Sequence, residues 1–183
     1  MDTHTFTITS FSADDIAMHI DELGALLHAC VHDGASIGFV LPFSAEDGAA
    51  FWRQKVLPAA RGGGLLMLVA RQQGRIAGTV QLDYNTPPNQ PHRAEVRKMM
   101  VHPDWRRQGI AQALMAELEI NAAALGRSLL TLDTRTGDAA EPLYAALGYQ
   151  TAGVIPGYCR DPTTARLDAT TLMYKSLNQG CKP

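Results

Sequence analysis

The amino-acid sequence predicts a mixed α/β or α+β domain in which a sheet of about seven strands is flanked by about four helices. The first observation is the order of predicted elements, which is strand, two helices, three strands, helix, strand, helix and two strands. The second is a strand–helix–strand crossover between Val96 and Leu132, which would make strands four and five parallel. The third is composition: 183 residues, 46% hydrophobic and 19% charged, suit a single domain over residues 1–183.

The N-terminal third predicts one strand and two helices. Residues 6–11 alternate apolar and polar side chains, as a strand does. After the glycine-containing loop 34–40, a second helix is expected from Ala45 to Ala60, and the run 61–64 (Arg-Gly-Gly-Gly) would end it. The first helix would be capped by Ser12 and would bury a face with helical spacing, comprising Ile16, Ile20, Leu23, Leu27 and Cys30.

The middle of the chain predicts three strands and the longest helix. The strands are expected at 65–71, 75–84 and 95–101, with a turn at 72–74 and an irregular proline-containing loop at 85–91. Gly126 would end a helix that opens at Arg107 and whose apolar face comprises Ile110, Leu114, Leu118, Ala122 and Leu125.

The C-terminal third predicts a buried strand, a short helix and two final strands. Residues 128–134 are largely apolar, which is typical of a strand buried on both faces. Asp138 would cap a helix that has Pro142 in its first turn and that stops at Gly148. The last two strands are expected at 149–155 and 170–177.

Charge and cysteine content exclude several classes of protein. A formal net charge of -2 gives no general attraction to nucleic acid or to an anionic membrane. No apolar run approaches the ~20 residues of a spanning helix, and no secretory signal is expected. Neither the six histidines nor the cysteines have convincing metal-ligand spacing. A reducing, cytoplasmic setting is expected from three well-separated cysteines, namely Cys30, Cys159 and Cys181.

Residues 99–111 have the features of an anion-binding turn. A helix is expected to open at about Arg107, where backbone N–H groups without helical partners point outward. Gly109 and Ala111 are small enough for a diphosphate to approach the backbone, and Arg106 and Arg107 add positive charge. A helix start whose glycine serves only packing is the alternative. The glycine-rich patterns of dinucleotide-binding and P-loop proteins are absent, which disfavours a nicotinamide cofactor or ATP.

The same turn resembles the acetyl-CoA pyrophosphate motif of the GNAT superfamily of N-acetyltransferases, Q/R-x-x-G-x-G/A, because it reads Arg106-x-x-Gly109-x-Ala111. Residues 143–149 resemble a second signature of that superfamily. The resemblance implies a GNAT-like fold with a mixed, largely antiparallel sheet and acetyl-CoA as acetyl donor. It also implies that backbone N–H groups near Met100 or Val101 polarise the acetyl carbonyl. The implied coenzyme-binding residues are Met99, Met100, Val101, Arg106, Arg107, Gln108, Gly109, Ile110 and Ala111.

Four further stretches are similar to the tabtoxin-resistance acetyltransferases, namely residues 31–39, 93–96, 132–134 and 156–159. This similarity implies an enzyme that acetylates a small amino-acid-like toxin or a related metabolite. One position departs from the superfamily, which often has asparagine seven residues before its tyrosine. Gly137 stands there in this chain, so a side-chain contact to pantetheine is not expected.

Glu95 and Asp133 are the candidate catalytic carboxylates. If strands four and five are parallel neighbours, both would face the crevice at the strand ends, where they could hold a substrate ammonium and drain its proton. The matching residues of the resembling enzyme lie at its active site. In the alternative interpretation, Glu95 pairs with Arg93 or Arg97 and Asp133 satisfies a turn. Which of the two carboxylates would be the principal base stays open.

Three further residues complete the candidate site. Tyr144, by its match to the superfamily's tyrosine, would be the general acid toward the coenzyme A sulfur; a buried core tyrosine is the alternative. Ser36 and Phe39 are candidates for the acceptor pocket, with loop packing as the alternative.

The predicted function is therefore acetyl transfer to a primary amine of a small molecule, by direct transfer in a ternary complex, with resistance to an antibiotic or toxin as its context. Two rival functions stay open. One is a protein N-terminal or lysine acetyltransferase of the same fold, and the other is a non-catalytic sensor of acyl-CoA. No nucleic acid, membrane or metal partner is expected, and a homodimer is left open.

Overall fold

The computed structural model describes residues 5–177, and a seven-stranded sheet runs through its centre. Its strands are β1 (Phe6–Phe11), β2 (Leu65–Gln72), β3 (Arg75–Asp83), β4 (Arg93–Val101), β5 (Leu129–Arg135), β6 (Gln150–Arg160) and β7 (Leu167–Ser176). They lie in the order β1-β2-β3-β4-β5-β7-β6, and every neighbouring pair is antiparallel except β4 and β5. The predicted fold class, a mixed sheet with one parallel pair, is confirmed.

Helices cover both faces of this sheet. They are α1 (Ala13–Met18), α2 (Ile20–His32), α3 (Ala45–Phe51), α4 (Leu57–Arg61), α5 (Ile110–Ala124) and α6 (Ala140–Ala146). Successive strand residues point to opposite faces, so Met67 and Val69 of β2 join the core under α1 to α4. Leu68 and Ala70 of the same strand join the core under α5 and α6. The sheet therefore has an apolar layer on each side.

The first predicted helix is divided into α1 and α2. A capping box begins α1, because Ser12 Oγ accepts from the Asp15 N–H at 3.1 Å while the Asp15 carboxylate accepts from the Ser12 N–H at 2.8 Å. The prediction of one continuous helix was wrong at His19, whose φ of -111° and ψ of 21° leave helical geometry. The His19 ring Nδ1 lies 2.8 Å from the Asp15 carbonyl oxygen, so the side chain takes part in the local break.

The second predicted helix is continuous in space but not uniformly α-helical. Residues Trp52–Val56 form a π-helical turn between α3 and α4. Trp52 is fully buried there, and its indole Nε1 donates to the Leu23 carbonyl oxygen at 2.9 Å. The sequence predicted the helix but not the π-turn, which lets a bulky indole reach α2 and still satisfy its N–H.

Strands β4 and β5 pair for only a short distance. Arg93, Ala94 and Glu95 face residues 129–131, and no further pairs between the two strands occur in residues 5–177. Beyond Glu95 the register between β3 and β4 also shifts, at a bulge where Lys98 has a φ of 48°. The two parallel strands therefore part toward their carboxyl ends and leave an opening between them.

Helix α5 begins later than the sequence predicted. Arg107 and Gly109 have φ values of 62° and 82°, so the chain turns through left-handed geometry and the helix begins at Ile110 rather than Arg107. Among the helices of residues 5–177, none combines the length and apolar character needed to cross a membrane. The prediction that residues 1–183 form one domain stays a prediction, and Cys181 and residues 1–4 lie outside the described residues.

The final hairpin is longer than predicted. The prediction ended β6 at Ile155, but the strand continues to Arg160. A register shift between Ile155 and Cys159 accommodates these residues, and Gly157 has a φ of 61°. Pro156 and Gly157 thus form a bulge inside the strand. The strand then continues, so residues 158–160 lie along the end of the sheet.

A close helix crossing yields a stability prediction. A Cβ placed on Gly48 of α3 would lie 2.6 Å from the Gly24 carbonyl oxygen of α2. We expect Gly48→Ala to lower the free energy of unfolding by about 1–3 kcal/mol through overpacking, although alanine normally favours a helix by about 1 kcal/mol over glycine. Denaturant unfolding measures the change. The matched control is Gly153→Ala, since a Cβ there meets nothing within 4 Å; a stabilised Gly48→Ala protein would contradict the prediction.

Candidate active site

Two adjoining chambers occupy the opening between β4 and β5. The turn chamber has a volume of about 410 Å³ and lies against the start of α5. The carboxylate chamber has a volume of about 430 Å³ and contains Glu95 and Asp133. A segment between α2 and α3, residues 33–44, contributes to both walls and is called the roof loop below. The chambers are contiguous because they share wall residues, namely Ala35, Ile37, Met99, Arg135, Asp138 and Ala140.

Unpaired backbone N–H groups face the turn chamber at the start of α5. The helix has no side-chain cap, and its first internal hydrogen bond is donated by the Ala113 N–H to the Gly109 carbonyl oxygen at 3.0 Å. A Cβ on Gly109 would meet nothing within 4 Å, so the outer surface of the turn is open. Helix N-termini of this kind bind anions through their N–H groups and the helix dipole.

The two arginines of the turn have different surroundings. Arg106 pairs with the Asp33 carboxylate of the roof loop, and its Nε donates to the Val101 carbonyl oxygen at 3.2 Å. Arg107 is exposed at the chamber wall, and no carboxylate lies within 4.0 Å of it in the part of the chain that the structure describes. Arg107 is therefore the free cation at this turn, whereas Arg106 holds the roof loop against the end of β4.

Most of the other predicted coenzyme residues line the turn chamber, but one does not. Met99, Met100 and Val101 line the turn chamber together with Ile110 and Ala111. Gln108 does not: its Oε1 accepts from Gln72 Nε2 at 2.9 Å, below the turn. Gln112 lines the wall one helical position beyond the predicted set. The sequence analysis missed Gln112 because it placed the helix start at Arg107. The first turn begins at Ile110 and therefore includes Gln112.

Both candidate carboxylates face the second chamber. The Glu95 side chain is 43% exposed, and its carboxylate lies 4.0 Å from Arg97 Nε. Arg97 lies closer to Asp83, at 2.9 Å, and Arg93 bonds to Gln90 and Thr131. The alternative pairing of Glu95 thus exists only as a long contact with Arg97.

Asp133 is held by a neighbouring strand and not by a turn. Its carboxylate accepts from Thr170 Oγ1 of β7 at 3.0 Å. Because Asp133 lies in β5 and Glu95 lies at the last paired position of β4, the parting of the strands places both carboxylates on the same chamber. A pair of carboxylates whose one ion pair within residues 5–177 is the 4.0 Å contact of Glu95 with Arg97 is suited to binding an ammonium group.

Tyr144 of α6 lies in the wall of the carboxylate chamber. Its side chain is buried, and burial raises the pKa of the Tyr144 phenol well above its ordinary value, with the Asp133 carboxylate adding to the rise. The phenol therefore keeps its proton through the neutral and alkaline range. Tyr144 therefore fits both the core interpretation and the general-acid interpretation, because it packs in the core and also has a protonated hydroxyl at the chamber wall.

The predicted acceptor-pocket residues are placed differently. Ser36 lines the carboxylate chamber, with its Oγ 3.5 Å from Cys159 Sγ. Phe39 is not a wall residue; its ring packs against Phe43 and Phe51, with centroids 4.8 and 5.1 Å away. The alternative of loop packing thus describes the position of Phe39.

The structure adds wall residues that sequence reasoning missed. Lys98 enters through the β4 bulge, and Tyr158 and Cys159 enter through the unpredicted end of β6. Arg135 lies between the chambers, where it bonds the Gly34 carbonyl oxygen at 3.1 Å and Asp161 at 3.3 Å. The similarity of residues 156–159 to the resistance enzymes was the signal available for β6. The bulges in β4 and β6 leave no periodic pattern in the sequence, so no sequence signal could have placed Lys98 in the chamber wall.

The turn chamber contains a thiol whose reactivity is predictable. Burial raises the pKa of Cys30 to about 11, so only ~0.1% is thiolate at pH 8. We expect iodoacetamide to alkylate Cys30 in the folded protein at least about a hundredfold more slowly than in the urea-unfolded chain. Peptide mapping by mass spectrometry measures the rate at each cysteine. Equal rates for the folded and unfolded chains at pH 8 would refute this prediction.

Comparisons with known proteins agree with this geometry. Residues 63–151 match the family model described as acetyltransferase (GNAT) domain. An acetyltransferase of Pectobacterium atrosepticum is 37% identical over 91 residues, which are 49% of this chain and 61% of that protein. An acetyltransferase of Yersinia enterocolitica is 36% identical over the same length. The aligned segment thus spans about three fifths of these relatives.

Solved structures extend the similarity to nearly the whole chain. The GNAT-family acetyltransferase of Streptococcus pneumoniae has a TM-score of 0.72 at 19% identity and covers 95% of this chain and 100% of its own. The protein yncA of Salmonella typhimurium, solved with its cofactor acetyl-CoA, has a TM-score of 0.73 at 19% identity, with 98% of each chain covered. Residues 63–151 are therefore similar to the acetyltransferase (GNAT) domain family, and the described chain has the fold of solved GNAT acetyltransferases.

Proposed function

We propose that this chain is an acetyl-CoA-dependent N-acetyltransferase that acetylates a primary amine of a small molecule. The observation that carries the proposal is the pair of adjoining chambers at the parting of β4 and β5. One chamber has an uncapped helix N-terminus suited to an anion, and the other has two carboxylates suited to an ammonium. Met99 belongs to both walls, so groups bound in the two chambers would meet beside it.

The turn chamber fits the coenzyme. The N–H groups at the start of α5 and the free guanidinium of Arg107 would bind its diphosphate, and Gly109 leaves room for close approach. Beyond Glu95, one edge of β4 has no strand partner within residues 5–177, so the backbone near Met100 and Val101 would pair with the pantetheine arm and polarise the acetyl carbonyl. Acetyl-CoA, when bound, supplies the thioester that is attacked.

The carboxylates would prepare the amine for attack. A primary alkylamine has a pKa of about 10, so it enters largely as an ammonium and must lose a proton before attack. Glu95 and Asp133 would bind the ammonium, and one of them, directly or through water, would accept that proton. The neutral amine then forms the new C–N bond with the acetyl carbon while the C–S bond breaks in a ternary complex, and the acylated nitrogen releases its second proton to solvent.

Tyr144 would complete the proton transfer. The departing thiolate of coenzyme A takes a proton, and the Tyr144 phenol holds one because burial and Asp133 raise its pKa. The phenolate that results takes up a proton from solvent before the next cycle. The ammonium thus gives its first proton to a carboxylate, whereas the thiolate takes its proton from Tyr144, and both side chains lie on one chamber.

The size and walls of the carboxylate chamber favour a small acceptor. The roof loop supplies Ser36 and Ile37, and Tyr158 and Cys159 of β6 lie on the same chamber. An amino-acid-like toxin of the tabtoxin type would suit these walls, and resistance to such a toxin is part of the proposal. A similar fold, 21% identical, belongs to a ribosomal-protein-alanine N-acetyltransferase of Brucella melitensis, so protein termini belong in any substrate screen.

Two further proposals concern the protein's surroundings. The described cysteines, Cys30 and Cys159, are free thiols, which supports a reducing, cytoplasmic location. Edge strand β6 exposes Val154 and Ile155 and carries no charge from Gln150 to Tyr158, which supports a homodimer formed along this edge.

Carboxylate variants test the proposed function. A thiol-release assay with acetyl-CoA and a panel of amino acids, polyamines, aminoglycosides and a tabtoxin-like β-lactam amino acid identifies the acceptor. We expect Glu95→Gln and Asp133→Asn each to lower kcat/KM by about 10²-fold or more, because the ammonium loses a binding and proton-accepting group. Glu117→Gln, on the exposed face of α5, is the matched control. Full activity in both carboxylate variants contradicts their roles, and tight acetyl-CoA binding without turnover on any amine or peptide favours the sensor.

A tyrosine variant tests the general acid. We expect Tyr144→Phe to lower kcat by about 10–10²-fold without changing the Kd for acetyl-CoA, because the thiolate loses its proton donor. Steady-state kinetics and calorimetry measure the two quantities. Tyr174→Phe is the control, since that hydroxyl donates to Gln150 at 2.7 Å and Tyr174 lines neither chamber. An unchanged kcat in Tyr144→Phe would show that the phenol does not protonate the leaving group.

A further inference from the structure

We propose that Lys98 is a positioning residue that anchors the roof loop over the carboxylate chamber and thereby sets the affinity for the acceptor amine. The inference deepens the proposed function and rests on it for the identity of the acceptor. The contacts that carry it come from the β4 bulge, the roof loop and α3. None of them involves the residues placed in the transfer reaction.

The backbone at Lys98 is unusual for a lysine. Its φ of 48° lies in the left-handed region, which residues with a side chain rarely adopt. The register shows an extra residue here, because Thr79 faces Met100 whereas Gln81 faces Arg97. Bulges redirect side chains that a regular strand would place elsewhere. In this chain the redirected side chain runs from β4 to the roof loop.

The Lys98 ammonium contacts the roof loop at its centre. Nζ donates to the Ile37 carbonyl oxygen at 2.7 Å. It also lies 5.5 Å from the ring centroid of Phe39 and 5.4 Å from that of Phe51 in α3. Gly38 lies directly against it, since a Cβ placed there would be 3.5 Å from Nζ. One side chain thus joins the strand that carries Glu95 to the loop that covers it.

The charge on Lys98 is not neutralised by an ion pair. Within residues 5–177, no carboxylate oxygen lies within 4.0 Å of its Nζ. Burial lowers the pKa of Lys98, and Arg97 adds to that lowering, while Asp133 and Glu95 oppose it. A buried ammonium is costly unless hydrogen-bonded, so the loop carbonyl and the aromatic rings are its compensating contacts. The loop position and the lysine position therefore depend on each other.

Other anchors of the roof loop lie toward its two ends. At the α3 end, the Leu41 N–H donates to the Pro162 carbonyl oxygen at 2.8 Å, while His32 Nε2 lies 2.8 Å from the Phe43 carbonyl oxygen. Arg106 holds Asp33, and Arg135 holds the Gly34 carbonyl oxygen at 3.1 Å. On the acceptor side, the Ser36 hydroxyl has only a 3.5 Å contact with a thiol. Lys98 is therefore the cationic anchor of residues 36–40, which border the carboxylate chamber. Its loss should disturb acceptor binding far more than coenzyme binding.

Kinetics of two Lys98 variants test this inference. With the most active amine of the panel, we expect Lys98→Met to raise the acceptor KM about tenfold, and the Kd for acetyl-CoA to stay within about twofold. Lys98→Arg keeps the cation and the donor, so it should restore most of the acceptor affinity. Lys55→Met, an exposed lysine in the π-turn, is the matched control. An unchanged acceptor KM in Lys98→Met, or an equal rise in both constants, would overturn the proposal.

Amide hydrogen exchange tests the anchor without relying on activity. We expect Lys98→Met to accelerate exchange at residues 35–40 about tenfold relative to the wild-type chain, and Lys55→Met to leave it unchanged. If the wild-type chain acetylates no amine, the proposed function fails while this measurement still decides whether Lys98 holds the loop. Unaltered exchange at residues 35–40 in Lys98→Met would show that it does not.

Discussion

The parting of β4 and β5 beyond the Glu95–Thr131 pair is the constraint on which the site depends. Parallel strands normally continue their ladder, but here only three residues of each strand are paired before they separate. The separation exposes one edge of β4 and opens space on both sides of Met99. Without it, the strand backbone would be satisfied by its neighbour, and neither chamber would exist. The bulge at Lys98 adds to the distortion of the same strand.

Local arrangement replaces net charge in this molecule. A chain with a formal charge of -2 presents a helix start suited to an anion and a carboxylate pair suited to an ammonium within adjoining chambers. The helix start needs no excess of lysine or arginine, because backbone N–H groups and the helix dipole supply the attraction. Arg106 pairs with Asp33, so Arg107 is the arginine of this turn that has no carboxylate partner among residues 5–177.

The order of elements was predictable because the first strand and the two longest helices have a clear hydrophobic period and glycine or proline residues separate many of the other elements. The strand–helix–strand crossover around α5 correctly indicated that β4 and β5 are parallel neighbours, which brought Glu95 and Asp133 to one chamber. Element ends were less accurate. His19 divides the first helix and Pro156-Gly157 forms a bulge within β6, because side-chain hydrogen bonds and tertiary pairing override the local sequence pattern there.

By itself, the sequence determined the sheet-and-helix order and the small-residue turn at Gly109, since periodicity and glycine spacing are local properties of the chain. Only the tertiary structure decided which side chains face the chambers. Gln108 and Phe39 do not line the chambers as predicted, whereas Lys98 and Tyr158, which were not predicted, do. The physical reason is that a bulge or a shifted helix start changes the direction of the side chains that follow it. Such shifts depend on long-range packing, which a local sequence pattern does not reveal.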